Sequence, residues 1–130
     1  MEKKYYFRGL EVEDIKKMSL DEFMKIIPSR SRRTLKRGVN EKKKKLLADI
    51  EKNRNNERTR IKTHCRDMVI IPQMLDTIIG VYNGKEFIDV HVNHEKLGHT
   101  LGEFAPSRRN VKHNAPGIGA TKSTSSASVK

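Results

Sequence analysis

The stretch Ile78-Ile79-Gly80-Val81-Tyr82-Asn83-Gly84-Lys85-Glu86-Phe87-Ile88-Asp89-Val90-His91-Val92 decides the fold. Two runs rich in β-branched and aromatic residues flank Asn83-Gly84, the strongest short hairpin signal, because the tight turn it suits needs positive φ at both central positions. A two-residue loop sets Tyr82 opposite Lys85, Val81 opposite Glu86 and Ile79 opposite Ile88. Ile79, Val81, Ile88, Val90 and Val92 then share one face, and Ile78, Tyr82, Phe87, Asp89 and His91 the other. A one-residue slip would mix the two sets, so the register is specified. The first face packs on a core and the second is partly free. Met68-Val69-Ile70-Ile71, stopped by Pro72, reads as a further strand. The expected architecture is α+β, with a small three-stranded, mostly antiparallel sheet around a central Asn-Gly hairpin.

Upstream of the sheet the periodicity is helical. Leu10 to Lys17 suits one or two turns. Ser19 with Glu22 reads as a capping box, flanked by Met18 and Phe23 as a hydrophobic staple, and starts a helix over 20–27 that Pro28 stops. Ser29 is placed to cap a very basic helix through Arg37, with Gly38 at the left-handed position after it. Asn40 is placed to cap a third helix from Glu41 to about Lys52, with Leu46, Leu47 and Ile50 as its apolar stripe. Asn53 to Glu57 is polar and aperiodic, a linker. Downstream of the hairpin, Asn93 can open a short turn over 94–97, and Pro106 ends the pattern. From Ser107 onward Gly117, Gly119 and a Ser/Thr run suggest a tail ordered only on a partner. The division expected is a helical extension over 1–58, an α+β core over 59–107 and an extended basic tail over 108–130.

The chain has 130 residues, 28 of them Lys or Arg and 16 Asp or Glu, a formal net charge of +12. So strong a field is relieved by a polyanion, and nucleic acid leads an anionic membrane surface as the candidate. The density runs highest from Ser29 to Lys45, where nine cations face only Glu41. Arg30, Arg33 and Arg37, spaced i, i+3, i+7, share one helix face; Arg32 and Lys36 share another. Guanidinium forks bind phosphate bidentately. Aromatics are only 5%, too few for a stacking platform that reads single strands, so shape and phosphate recognition of folded RNA fits better. No apolar run approaches the ~18 residues of a membrane span. The lysines near the N-terminus precede no apolar signal region, so no export is expected. The single Cys65 cannot form an internal disulfide, which suits a reducing compartment.

Catalysis and metal binding find little support. His91 and His94 have ligand-like spacing but fall on a strand and a turn, and there is no CxxC pair. Cys65 beside His64 has no recognisable orienting partner. The carboxylates of the core are scattered. Gly117-Ile118-Gly119-Ala120-Thr121 lacks the strand and the Lys that a phosphate loop uses. The expectation is no enzyme, no metal and no cofactor.

Asn83-Gly84-Lys85, six residues, Val92, four residues, Leu97-Gly98, two residues, Leu101-Gly102-Glu103-Phe104, two residues, Ser107 is similar to the signature of the small-ribosomal-subunit protein nineteen family. Ile61-Lys62-Thr63, Ile71-Pro72-Gln73-Met74 and Thr77 to Lys85 resemble it too. Phe7-Arg8-Gly9 through Arg37-Gly38, and Val111-Lys112-His113 to Thr121, resemble its archaeal and eukaryotic branch. The resemblance implies a structural, cytoplasmic rRNA-binding protein of the small-subunit head, acting in translation. It implies contact with small-subunit protein thirteen and a tail reaching toward the A-site tRNA. Neither a membrane nor a homo-oligomer is expected. On this reading Arg30, Arg32, Arg33, Lys36 and Arg37 bind rRNA, Lys62, Arg66, Lys85 and His99 extend that surface, and Arg108, Arg109, Lys112 and His113 lead the tail into RNA or tRNA. The alternative from charge alone is a free basic module that binds or compacts nucleic acid.

Overall fold

The computed structural model describes residues 3–54, 60–111 and 117. A two-residue ladder opens it: β1 (Tyr6–Phe7) pairs antiparallel with β2 (Leu10–Glu11) across a turn where Arg8 and Gly9 have φ of 52° and 81°. Four helices follow: α1 (Val12–Lys17), α2 (Leu20–Ile26), α3 (Ser29–Lys36) and α4 (Glu41–Arg54). The capping box on α2 is present. Ser19 Oγ accepts from Glu22 N at 3.4 Å, and Ser19 N donates to Glu22 Oε2 at 3.2 Å. Asn40 Oδ1 caps α4 by accepting from Lys43 N at 3.0 Å. Ser29 differs from its expected place. It is the first helical residue of α3, and Pro28 holds the cap position without a side-chain bond. Gly38 follows α3 with φ of 91°.

The sheet is mixed rather than mostly antiparallel. Its order is β3 (Ile61–Thr63), β4 (Ile78–Tyr82), β5 (Phe87–His91), with β3 parallel to β4 and β4 antiparallel to β5. The third strand is thus 61–63, not 68–71. Met68 to Ile71 are all buried, so no face alternates toward solvent as an edge strand would require. This extended segment runs beside 98–101 instead: Ile70 N donates to His99 O, Gly98 N to Ile70 O and Leu101 N to Met68 O, at 2.8, 3.1 and 3.0 Å.

The register of β4 against β5 also shifts. Tyr82 opposes Phe87, Val81 opposes Ile88 and Ile79 opposes Val90. Asn83 acts as a corner of the turn, not a central residue. Its N–H donates to Glu86 O at 3.0 Å, and its Oδ1 accepts from Lys85 N and Glu86 N at 2.9 and 2.8 Å. Because side chains alternate with a period of two, a two-residue shift leaves both faces as expected.

One core serves helices and sheet. Ile15 of α1, Phe23 of α2, Ile27, Leu46 and Ile50 of α4, Met68, Ile70, Met74, Ile79, Val81, Val90, Val92, Leu97 and Leu101 are buried in a single cluster. Among the described residues no helix is long and apolar enough to cross a membrane.

Candidate nucleic-acid interface

Helix α3 is seated by its inward side chains. Leu35 is buried, and Ser31, one turn earlier, donates from Oγ to Gly98 O at 2.7 Å. Residues one, two, five and six positions away from Ser31 then divide into two roles. Arg30, Arg33, Lys36 and Arg37 are exposed, and none of their charged groups meets an acid among the described residues. Four cations on one short element, uncompensated, favour a phosphate backbone.

Arg32 belongs to the other role. Its Nε donates to Met24 O at 2.7 Å, and its NH2 to Lys25 O and Ile27 O at 3.2 and 3.1 Å. Those carbonyls end α2, where a helix leaves its last acceptors without N–H partners. Its guanidinium closes a helix end. The sequence carried a signal for this: an arginine four residues after the proline that stops a helix is within reach of its orphan carbonyls.

The core cations separate likewise. Arg66, half-buried, donates from NH1 to Tyr82 O at 2.6 Å and from NH2 to Gly102 O at 3.0 Å, tying the end of β4 to the turn over 101–104. Gly102 leaves it room: a Cβ there would lie 3.0 Å from Arg66 O. Lys62 is exposed on β3, with Nζ 5.4 Å from the Phe87 ring centroid. Lys85 is exposed at the hairpin tip. His99 is exposed and its Nδ1 lies 2.7 Å from Glu103 Oε2, with the Phe104 ring against it. Arg108 is exposed, and Arg109 lies 3.6 Å from Glu86 Oε1. Lys112 and His113 fall outside the described residues.

Sequence reasoning missed two cations that shape this surface. Lys43 is only 8% exposed and forms an ion pair with Asp67 Oδ2 at 2.8 Å, joining α4 to the segment after β3. The hydrogen bond from Lys43 holds the Asp67 carboxyl below the usual carboxylate range. Arg60 spans the outer face of the sheet, bonded to Asp89 Oδ1 at 2.8 Å and Phe87 O at 3.0 Å. The remaining α4 lysines, Lys42, Lys44 and Lys45, are exposed and extend the positive field of α3. Among the described residues no three His, Cys, Asp or Glu side chains group as metal ligands would.

The profile of the family described as ribosomal protein S19 matches residues 33–113, which takes in the end of α3, all of α4, the sheet and the turns after it. The small ribosomal subunit protein uS19 of Methanococcus aeolicus is 42% identical over 131 aligned positions. That alignment covers 97% of this chain and 81% of the archaeal protein, so it reaches back through the N-terminal helices ahead of the profile match. The chain belongs to the ribosomal protein S19 family.

Proposed function

We propose that this chain holds small-subunit rRNA through the outer face of α3, with Arg30, Arg33, Lys36 and Arg37 on phosphates. Family membership supplies the frame: a structural constituent of the small ribosomal subunit, a ribonucleoprotein that acts in translation. One observation carries the assignment of the face. These four cations are exposed and uncompensated, while Arg32 of the same helix and Arg66 of the core are occupied by backbone carbonyls. Arg32 and Arg66 accordingly shape the surface, and Lys62, Lys85 and His99 add to it from the sheet side. In this reading 1–58 and 59–107 form the body in the subunit head beside protein thirteen. Arg108, Arg109, Lys112 and His113 start the tail, 108–130, toward the A-site tRNA.

The test is a titration of the full chain against small-subunit rRNA at several salt concentrations. If about six phosphates are neutralised, log K falls roughly five times as steeply as log salt rises. Arg33→Ala with Arg37→Ala should lower that slope by about two and weaken binding. An unchanged slope removes α3 from the interface; a flat response in the unaltered chain removes the rRNA reading.

A further inference from the structure

The outer face of the sheet carries a feature that phosphate contact does not use. His64, just past β3, Tyr82 at the end of β4 and Phe87 at the start of β5 converge there. The His64 ring centroid lies 4.5 Å from that of Tyr82 and 5.2 Å from that of Phe87, and the Tyr82 and Phe87 centroids are 5.2 Å apart. Phe87 and Tyr82 are half-buried, while His64 is exposed on top of them. Tyr82 is held in place as its hydroxyl donates to Gly84 O at 2.9 Å. The chain holds only three Tyr, four Phe and no Trp, so two of seven aromatic rings, plus an imidazole, meet at one exposed spot.

The charge around the cluster is one-sided. Lys62 sits over Phe87, Lys85 is exposed two residues from it, and the acids flanking Phe87 in sequence, Glu86 and Asp89, are paired with Arg109 at 3.6 Å and Arg60 at 2.7 Å. The rings are tilted or edge-on to one another, at interplanar angles of 48°, 80° and 52°, so they form a cluster whose exposed imidazole is free to present a face. Such a cluster, with cations at its rim and its local acids paired, suits a group that is flat, apolar on its face and tethered to a phosphate. An apolar protein side chain would gain from the rings but not from the rim.

We propose that the His64–Tyr82–Phe87 cluster stacks one unpaired rRNA base, with Lys62 and Lys85 on the flanking phosphates. This rests on the rRNA-binding reading and adds a base contact to it. Base–ring stacking does not release counterions, so its loss lowers affinity without changing the salt slope. The sparse aromatic content argues against a platform along a strand, but not against a single seat assembled from three segments.

Two variants of the full chain test it against in-vitro-transcribed small-subunit rRNA. His64→Ala should bind about tenfold more weakly with the salt slope unaltered. His64→Trp should bind at least as well as the unaltered chain, and its indole, the only one present, should lose fluorescence on binding. Affinity of His64→Ala equal to that of the unaltered chain overturns the proposal. So does indole emission that stays constant while rRNA binds, the outcome expected if a protein neighbour or solvent covers the cluster. If His64→Ala also melts earlier, the indole signal alone decides. Failure of the unaltered chain to bind rRNA breaks the underlying reading; binding with a silent indole breaks only the stacking seat.

Discussion

The outer face of α3 and the seam beneath it use the same side chain for opposite ends. On the face, the guanidinium groups of Arg33 and Arg37 have no hydrogen-bond or ion-pair partner among the described residues. In the seam, Arg32 and Arg66 are held against carbonyls of α2, β4 and the 101–104 turn. Arg32 and Arg33 are neighbours in sequence. A helix advances 100° per residue, so adjacent positions look in different directions, and what each meets decides its role. The lesson is that a basic run is not a uniform binding surface. Part of it builds the scaffold that presents the remainder.

Substitutions sharpen this contrast, and unfolding in urea measures it. Arg66→Ala should have the largest effect, about 3 kcal/mol, because two charge-assisted bonds vanish and the half-buried Tyr82 carbonyl loses its donor, while Gly102 O keeps only the longer bond from Ala105 N at 3.4 Å. Gly98→Ala should follow at about 2 kcal/mol. Gly98 has φ of 79°, and a Cβ there would lie 3.2 Å from Ile27 Cγ2. Arg32→Ala should cost about 1.5 kcal/mol, and Arg32→Lys should recover little of it, since a compact ammonium does not span the three carbonyls that Nε and NH2 of the planar fork reach together. Stability equal to the unaltered chain in either Arg32 variant would break the division between seam and face.

The Lys43–Asp67 pair should contribute less, about 0.5 kcal/mol, as Asp67 is 75% exposed. Its carboxyl is depressed in the folded chain, so the contribution is present above the ordinary Asp range and is lost as pH falls through the lowered value. Asp67→Asn should remove that part of the acid sensitivity; an unaltered pH profile would show the pair to be inert. The smallest effect belongs to Arg33→Ala with Arg37→Ala, within about 0.5 kcal/mol in stability. A loss as large as that of Arg66→Ala would mean the outer face is packed.

The local grammar of the fold was legible. The Ser19–Glu22 box, the stop at Pro28, the Asn40 cap and the two faces of β4 and β5 all follow from residues within a few positions of one another. What escaped depends on long-range pairing. Ile61–Thr63 is three residues long, too short for alternation to announce a parallel partner 18 positions on. Met68–Ile71 has the composition of a strand, but burial on every side gives it another neighbour. The two-residue shift at Asn83 was invisible because it preserves the faces. For the proposed interface, charge density pointed to α3, but only the position of the α2 carbonyls separates Arg32 from Arg33. The gathering of His64 with Tyr82 and Phe87 depends on the β3–β4 pairing and had no local trace.

The packing of Ile27 against Gly98 sets a timetable for synthesis. Translation delivers the chain N-terminus first, at about 5 to 20 residues per second, so position 98 follows position 27 by roughly 4 to 14 s. Throughout that interval Ile27 lacks this neighbour, while the cations of α3, at most ten positions further on, are added near its start. The nascent polypeptide therefore offers its electrostatic handle before its interior can close. Any chaperone or RNA that greets it early meets the charge first and the finished body second.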